Sequence, residues 1–571
     1  MRLWSRMVVL VCGAFLSTVV QAQQPAPEPA VPPVSAAAPA PVRNPQVNAA
    51  DVGNWLDGYM PYALARGDVA GAVVTVVKDG EIIVKRGYGY ADVEKRVPVD
   101  PDVTLFRPAS VSKLFTWTAV MQQVEQGKLD LDTDTNTSRD YKVPRSAKPI
   151  TLRHLMTHTA GFEANMRRMW MTEDDAAAGH AALGPALKEW VPGQIFEPGT
   201  VPSYSNYGTS LAGYIVERVS GQSFDDYVVQ HIFAPLGMQH ASFRQPLPPA
   251  LRAHVAEGYR VASGKPHRFE VTSSAPAGAL SATGSDMARF MIAHLTTASG
   301  VDSPVLKAAT AAQMYTPQKR FAPPLNTMLL GFYEINQNQQ RIIGHAGDTM
   351  MFHSQLFLYA DQGIGVFVSV NSAGLNGVTG PIRSQLIERF TDRYFPHAQV
   401  DPPVDLEAAK AQAKALAAGV FTTSRRSETG VGRLSVVLSQ MRLTDNGDGT
   451  LTFAKAKDIS GQPAKFAPIA PWVWRAVGGK QRLAAVVEDG RVTAFALDGS
   501  SPFVIYQRVE GYRSALWLKP LLIVSLLVLA TTALAWPIAA LVRRRYRRSR
   551  DWPATAVKAH RAARIGIWLM L

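Results

Sequence analysis

A single cysteine stands among the 571 residues, Cys12, inside an apolar run near the N-terminus. With no second thiol there is no disulfide framework, and removal of the leader that holds Cys12 leaves no thiol nucleophile either. A Val precedes Cys12 where a lipoprotein signal requires a small residue, which argues against lipidation there. Acidic residues are scarce where basic ones gather: residues 543–571 carry nine Lys or Arg against one Asp, and Arg2 and Arg6 add two positive charges at the other end. Of the formal +14, only about +4 is left for everything between, so the basicity marks topology and not a nucleic-acid partner.

The N-terminus "MRLWSRMVVLVCGAFLSTVVQAQQ" joins Arg2 and Arg6 to an apolar run and to Val20-Gln21-Ala22, the pattern of a signal peptide over residues 1–22. Residues 23–49 are Pro/Ala-rich, as in an extended spacer. The run Pro520–Val542, within a helix expected over 516–542, is long enough at about 1.5 Å per residue to cross a hydrocarbon core of about 30 Å. The "RRRYRRSRDW" that follows belongs on the cytoplasmic side. Residues 543–571 are thus a basic cytoplasmic segment, and its "ARIGIWLML" is read as the start of a second membrane helix. A bacterial inner-membrane protein with its bulk in the periplasm or outside the cell is expected.

Two folded regions are expected in that bulk, residues 50–398 and 399–512. "GAVVTVVKDGEIIVKRGYGYAD" reads as a hairpin turned at Asp79-Gly80. "SVSKLFTWTAVMQQVEQG" places Leu114, Trp117, Val120, Met121 and Val124 at helical spacing, predicting an amphipathic helix. Strand patterns return at "RIIGHAGD", "FHSQLFLYA" and "IGVFVSVN", before a closing helix "PIRSQLIERFTDRYF". The fold class is α+β, with both ends of the first region sharing one sheet around a helical middle that includes a Met/Trp-rich excursion, "NMRRMWMTEDD". A helix over 405–418 and short strands to about residue 510 predict a small all-β domain next to the membrane helix.

Ser110 and Lys113 in "FRPASVSKLFTW" lie three residues apart at the start of the predicted helix, so one side chain reaches the other. A serine hydroxyl needs an adjacent base to become a nucleophile, and a lysine serves if burial or charge depresses its pKa. Alone, the pattern fits a capped helix with a solvated lysine better. Tyr204 and Asn206 in "YSN", and His345 and Gly347 in "HAG", change that balance. The ordered set Ser-x-x-Lys, Tyr-x-Asn, Lys/His-x-Gly resembles the penicillin-recognising serine hydrolases. In its Tyr form it is similar to the class C β-lactamase, serine DD-peptidase and esterase family. "VTLFRPASVSK", "ITLRHLMTHTAGF", "PGTVPSYSNYGTSLAGYIVERVSG" and "PAGALSATGSDMARFM" resemble it too, over about residues 50–395.

The resemblance implies a β-lactamase/transpeptidase-like fold and an acyl-enzyme on Ser110, with Lys113 and Tyr204 shuttling its proton. Asn206 would bind Lys113 and the substrate amide, the backbone N–H groups of Ser110 and Asp348 would form the oxyanion hole, and His345 would face the cleft. A phenol beside a buried ammonium is expected to have its anionic form stabilised. Where class C enzymes have Lys-Thr-Gly, this chain has His345-Ala346-Gly347, and Ala346 lacks the hydroxyl that would hold a substrate carboxylate. The expected reaction is ester hydrolysis, cell-wall peptide processing or β-lactam hydrolysis, ranked in that order, on a small-molecule ester, peptide or cell-wall substrate, with no metal and no organic cofactor. The competing reading is an inactive binding or sensing ectodomain, but a retired site has no reason to keep Ser110, Lys113, Tyr204 and Asn206 together. Three weaker patterns take structural readings: His154 and His158 lack the Glu of a zinc helix, Ser210 in "GTSLAG" fits a helix, and "DNGDG" at 445–449 fits a hairpin turn.

Overall fold

Strands β1 (Gly71–Lys78) and β2 (Glu81–Asp92) form the expected hairpin, with Asp79 at φ 50° and Gly80 at φ 86°. Two positive φ values are what an Asp-Gly two-residue turn supplies to match strand twist. In this computed structural model the described residues are 45–570 apart from 139, 141, 144–147, 165–169, 172, 175–181, 190, 431, 458–460, 500 and 549–551. The leader, most of the Pro/Ala-rich spacer and most of the Met/Trp-rich excursion lie outside them.

With β3 (Val97–Pro98), β4 (Tyr333–Glu334), β5 (Ile342–Asp348), β6 (His353–Tyr359) and β7 (Ile364–Val370) the hairpin builds a seven-stranded sheet in the order β3-β2-β1-β7-β6-β5-β4. The pairing of β1 with β7, Ala72 opposite Val370, brings the two ends of the region into one sheet. Both faces are covered, which is why β1 is a nearly unbroken Val run. Val73 and Val77 face a core containing Trp117 and Phe290, whereas Val74 and Val76 face one containing Leu56 and Phe390. Leu56 comes from helix α1 (Ala49–Gly67), Trp117 from α2 (Ser112–Glu125), Phe290 from α4 (Gly284–Ala298) and Phe390 from α5 (Thr379–Tyr394), while α3 (Asn206–Ser220) packs on α2.

Helix α2 differs from the amphipathic expectation, because every residue from Ser112 to Gln123 is buried. Its polar side chains are not turned to water, and most of their donors and acceptors find partners, as burial demands, although Trp117 Nε1 and Gln123 Oε1 have none among the described residues. Thr116 Oγ1 donates to the Pro276 carbonyl (2.6 Å), Gln122 Nε2 to those of His231 and Val305 (both 2.9 Å), and Gln123 Nε2 to Tyr227 Oη (2.7 Å).

The second sheet has eight strands, β8 (Phe421–Thr423), β9 (Thr444–Asp445), β10 (Leu451–Lys457), β11 (Pro463–Ala470), β12 (Val473–Ala476), β13 (Arg482–Glu488), β14 (Arg491–Leu497) and β15 (Tyr506–Arg508). They run antiparallel in the order β8-β15-β14-β13-β12-β11-β10-β9. A bridge between Phe421 and Met441 ties β8 to the residues just ahead of β9, which protects both edges. Leu416 of helix α6 (Leu406–Ala417) fills the concave face with Phe453, Phe466, Trp474 and Phe495. "DNGDG" forms the turn between β9 and β10, and Lys465 pairs with its Asp448 (3.1 Å). After the short helix α7 (Gly432–Leu438) and the last strand comes α8 (Ala515–Arg545), long and apolar enough to cross a membrane by length and composition. Helix α9 (Ala554–Met570) follows it.

Candidate active site

Ser110 lies in a single 3-10 turn, Ala109–Val111, that leads directly into α2. The residue before it, Ala109, has φ 52°, a left-handed conformation that costs a residue with a Cβ roughly 1–2 kcal/mol. The strain turns the chain sharply and sets the Ser110 side chain toward Lys113, one helical turn on. Lys113 Nζ lies 3.1 Å from Ser110 Oγ, 2.8 Å from Asn206 Oδ1 and 2.6 Å from the Ala277 carbonyl. Tyr204 Oη donates to Ser110 Oγ at 2.7 Å. Asn206 opens α3 behind the N-cap Ser205, whose hydroxyl accepts from Gly208 N–H, so the Tyr-x-Asn stretch is a helix start that aims Tyr204 at Ser110 and Asn206 at Lys113. "PAGALSATG" wraps the other side: besides the Ala277 carbonyl, its Leu280 N–H donates to Ser112 Oγ (3.2 Å) and its Ala282 carbonyl receives Phe106 N–H (2.9 Å).

Burial decides the protonation states here. Lys113 is fully buried, and desolvation, with the Arg425 guanidinium adding to it, holds its pKa well below the lysine range. A free amine has two N–H donors and one lone pair. In the free-amine form that this depression favours, Asn206 Oδ1 and the Ala277 carbonyl would take the two donors and leave the lone pair for the Ser110 hydroxyl proton. Tyr204 departs from the expectation: burial pushes its pKa up, outweighing the Ser110 hydrogen bond and Arg425, which act the other way. The neutral phenol is favoured, because a lysine held low offers little cation to stabilise a phenolate.

The third motif lies on β5. Gly347 has no room for a side chain: a Cβ there would sit 2.1 Å from the Pro108 carbonyl oxygen and 2.8 Å from Ser110 N. The strand thereby presses against the turn that holds Ser110, with Asp348 next along it. The Asp348 carboxylate accepts from Arg383 Nη2 and faces His353 Nδ1, both at 2.7 Å, and Arg383 also donates to the carbonyls of Gly347 (3.2 Å) and Ser354 (2.7 Å). Tyr333 Oη accepts from Ala346 N–H at 2.8 Å. The His345 side chain is buried, 1% exposed, with its ring against Tyr333 (centroids 5.2 Å apart) and Nδ1 2.5 Å from the Ala346 carbonyl. Desolvation, helped by nearby Lys113, lowers its pKa to about 3, so it is a neutral imidazole where class C enzymes are expected to carry an ammonium.

Sequence reasoning missed the groups that the C-terminal sheet brings to this site. Phe503, from the loop after β14, lies 4.5 Å from the Tyr204 ring, 5.7 Å from Tyr333 and 5.3 Å from His158, measured between centroids. The Arg425 guanidinium, two residues after β8, lies 4.7 Å from the Tyr204 centroid. Docking runs through backbone: Ser203 bridges to Val504, and the Glu163 carboxylate accepts from the N–H groups of Glu428 (2.7 Å) and Thr429 (3.0 Å). No motif announces such contacts; a run of turn residues carrying one aromatic, "DGSSPF", is the only signal. His154 and His158 do not converge. His154 Nδ1 accepts from Thr151 N–H in a capping box, whereas the His158 ring lies 4.5 Å from that of Tyr204. Ser210 is a buried residue inside α3.

The chain is 26% identical over 332 residues to Protein flp of Staphylococcus aureus strain MW2, covering 55% of this chain and 62% of that protein. It is 29% identical over 269 residues to the putative penicillin-binding protein PbpX of Bacillus subtilis strain 168, covering 45% and 60%. The chain thus spans about three-fifths of the length of the curated relatives it matches. The octameric penicillin-binding protein homologue from Pyrococcus abyssi shares the fold, with a TM-score of 0.50 at 20% identity over 80% of this chain and 100% of that one. The Beta-lactamase family model matches residues 56–386, more than half of the sequence, and the chain belongs to the Beta-lactamase family.

Proposed function

We propose that the protein is an exported, membrane-anchored serine hydrolase that forms an acyl-enzyme on Ser110. The observation that carries this reading is the disposition of Lys113, with two acceptors for its N–H groups and Ser110 Oγ at 3.1 Å. Ser110 Oγ attacks the carbonyl of an ester or amide while its proton passes to the Lys113 amine. The bond to the leaving group then breaks, and Tyr204, hydrogen-bonded to the same oxygen, relays the proton to it. Water attacks the acyl-enzyme by the reverse route, returning the proton to Ser110. The backbone N–H groups of Ser110 and Asp348 are the proposed oxyanion donors, supported by the close approach of β5 to the Ser110 turn. The neutral, enclosed His345 acts as a wall more than as a charge, which favours ester and peptide substrates over β-lactams.

Anchoring is supported by the apolar helix α8, and an extracytoplasmic location for the two sheets by the arginines that end it, Arg543, Arg544 and Arg545. The test uses the full chain in detergent, treated with a fluorophosphonate and separately with a fluorescent penicillin, and the adducts are located by mass spectrometry. Fluorophosphonate adduct on Ser110, lost in Ser110→Ala, is expected. Neither probe labelling Ser110, with p-nitrophenyl acetate turnover equal in wild type and Ser110→Ala, would sink the reading.

A further inference from the structure

We propose that Arg425, contributed by the C-terminal sheet, is the residue that recognises a carboxylate on the substrate. The inference rests on the serine-hydrolase reading above and assigns the second sheet a part in substrate choice.

Arg425 has an anchored stem and a free head. Its backbone N–H donates to Thr423 Oγ1 (3.2 Å), and Ser424 just before it is fully buried, its N–H donating to the Ile505 carbonyl (2.7 Å) and its carbonyl accepting from Ser203 Oγ (3.2 Å). Arg426 just after it is tied to Glu428 and Gln507, both at 2.7 Å. The Arg425 side chain itself is exposed, and no carboxylate among the described residues pairs with it. Among the described residues its guanidinium lies over the face of Tyr204, the ring whose hydroxyl touches Ser110. The guanidinium therefore stands one aromatic ring away from the reacting oxygen, with its forked N–H donors open to solvent and suited to a carboxylate.

The charges around it leave this role open. Lys113, His158 and His345 are all buried, and desolvation disfavours the charged form of each. Asp348 would repel an anion, but its carboxylate is already matched by Arg383. Ala346 on β5 cannot donate a hydroxyl to a carboxylate, and Arg425 offers a substitute from the other sheet. Phe503 beside it adds an apolar wall, so the ligand class is an ester or peptide that places a carboxylate beside an apolar group near the scissile carbonyl.

The experiment compares wild type, Arg425→Ala and Arg425→Lys as full chains in detergent on two matched substrate pairs. One pair carries the carboxylate on the leaving group, the N-acetylglycyl thioester of thioglycolate against its methyl ester. The other carries it on the acyl group, the p-nitrophenyl monoester of succinate against p-nitrophenyl butyrate. In at least one pair the ratio of kcat/KM for the anionic over the neutral member should fall roughly 10–100-fold in Arg425→Ala, mainly through KM, with partial recovery in Arg425→Lys. Ratios unchanged in both pairs, or a pH profile moved alike for both members, would mean that Arg425 acts only through Lys113 or not at all, and would overturn the proposal. If wild type hydrolyses nothing and Ser110 takes no fluorophosphonate, the serine-hydrolase reading falls and this one with it. Ser110 labelled but discrimination independent of Arg425 removes only the present inference.

Discussion

Replacing Gly347 with alanine tests whether the approach of β5 to the Ser110 turn organises the site. The added methyl carbon would lie 2.1 Å from the Pro108 carbonyl oxygen, 2.8 Å from Ser110 N and 3.0 Å from Val111 N, all backbone atoms with no rotamer in which to escape. Contact at ordinary van der Waals distance requires strand and turn to separate by roughly 1 Å. A misplacement of that size in a catalytic arrangement costs on the order of 100-fold in rate. Overpacking should remove about 1–3 kcal/mol of stability as well. The assay is kcat for p-nitrophenyl acetate, with the fluorophosphonate labelling rate of Ser110 as an independent readout of the serine. Gly380, in the first turn of α5 with nothing within 4 Å of its would-be Cβ, supplies the control, and Gly380→Ala should leave rate and melting temperature nearly unchanged. A Gly347→Ala variant within about 3-fold of wild type and equally stable would refute the packing argument.

Ser110→Ala should abolish labelling and lower p-nitrophenyl acetate turnover by at least about 1,000-fold; more than a tenth of the activity surviving would contradict the nucleophile assignment. Tyr204→Phe removes the hydroxyl 2.7 Å from Ser110 Oγ and should reduce kcat roughly 100- to 10,000-fold with KM little altered; a KM-only effect would make Tyr204 a binding residue. Stability should fall as the pH drops. Burial lowers both His294 and His345 to about 3, against about 6.5 in the unfolded chain, so the unfolded state binds more protons between those limits. Each histidine then loses about 2 kcal/mol between pH 8 and pH 5. Asp225, raised to about 6 by burial, gains about 1 kcal/mol over the same interval, so these three groups together lose about 3 kcal/mol; His158 and Lys113 act in the same direction, and the raised carboxyls of Glu217, Asp286 and Asp498 act against it. Thermal midpoints at pH 8 and pH 5 measure it, and a flat or rising profile toward acid would show that these groups are hydrated.

The parts of the site that were legible in the sequence are those written into short contiguous stretches. Ser110 and Lys113 share one helix turn, Tyr204 and Asn206 flank one N-cap, and the Gly347 strand carries a clear β pattern. Hairpin and sheet patterns were legible for the same reason, since turn chemistry and alternation are local. What could not be read depends on contacts distant in the chain. The neutral state of Tyr204 follows from desolvation by His158 and Phe503, the latter about 300 residues downstream. Arg425 and Phe503 reach the site through backbone hydrogen bonds, and a backbone donor leaves no mark on composition. The all-round burial of α2 escaped the periodicity argument because its threonines and glutamines look solvent-facing until Pro276, His231, Val305 and Tyr227 are in place to satisfy them.

In the proposed mechanism that burial and the chemistry are one requirement. A lysine can accept a proton from serine only after surrendering its own, and the largest depression available to a lysine comes from removing water. Lys113 therefore could not be carried on a surface helix with one apolar stripe, since its amine would find solvent on the polar side. The helix must be enclosed from Ser112 to Gln123, and most of its polar side chains are then matched, because each unmatched group costs about 1–3 kcal/mol, as Trp117 Nε1 and Gln123 Oε1 do here. The cost recurs at Ala109, where a side-chain-bearing residue is held at φ 52°. The cores that fill both faces of the seven-stranded sheet are what offset it. The second sheet is more than an attachment: its Phe503, with His158 of the first region, keeps water from Tyr204, and its Arg425 adds the positive potential that depresses Lys113 further.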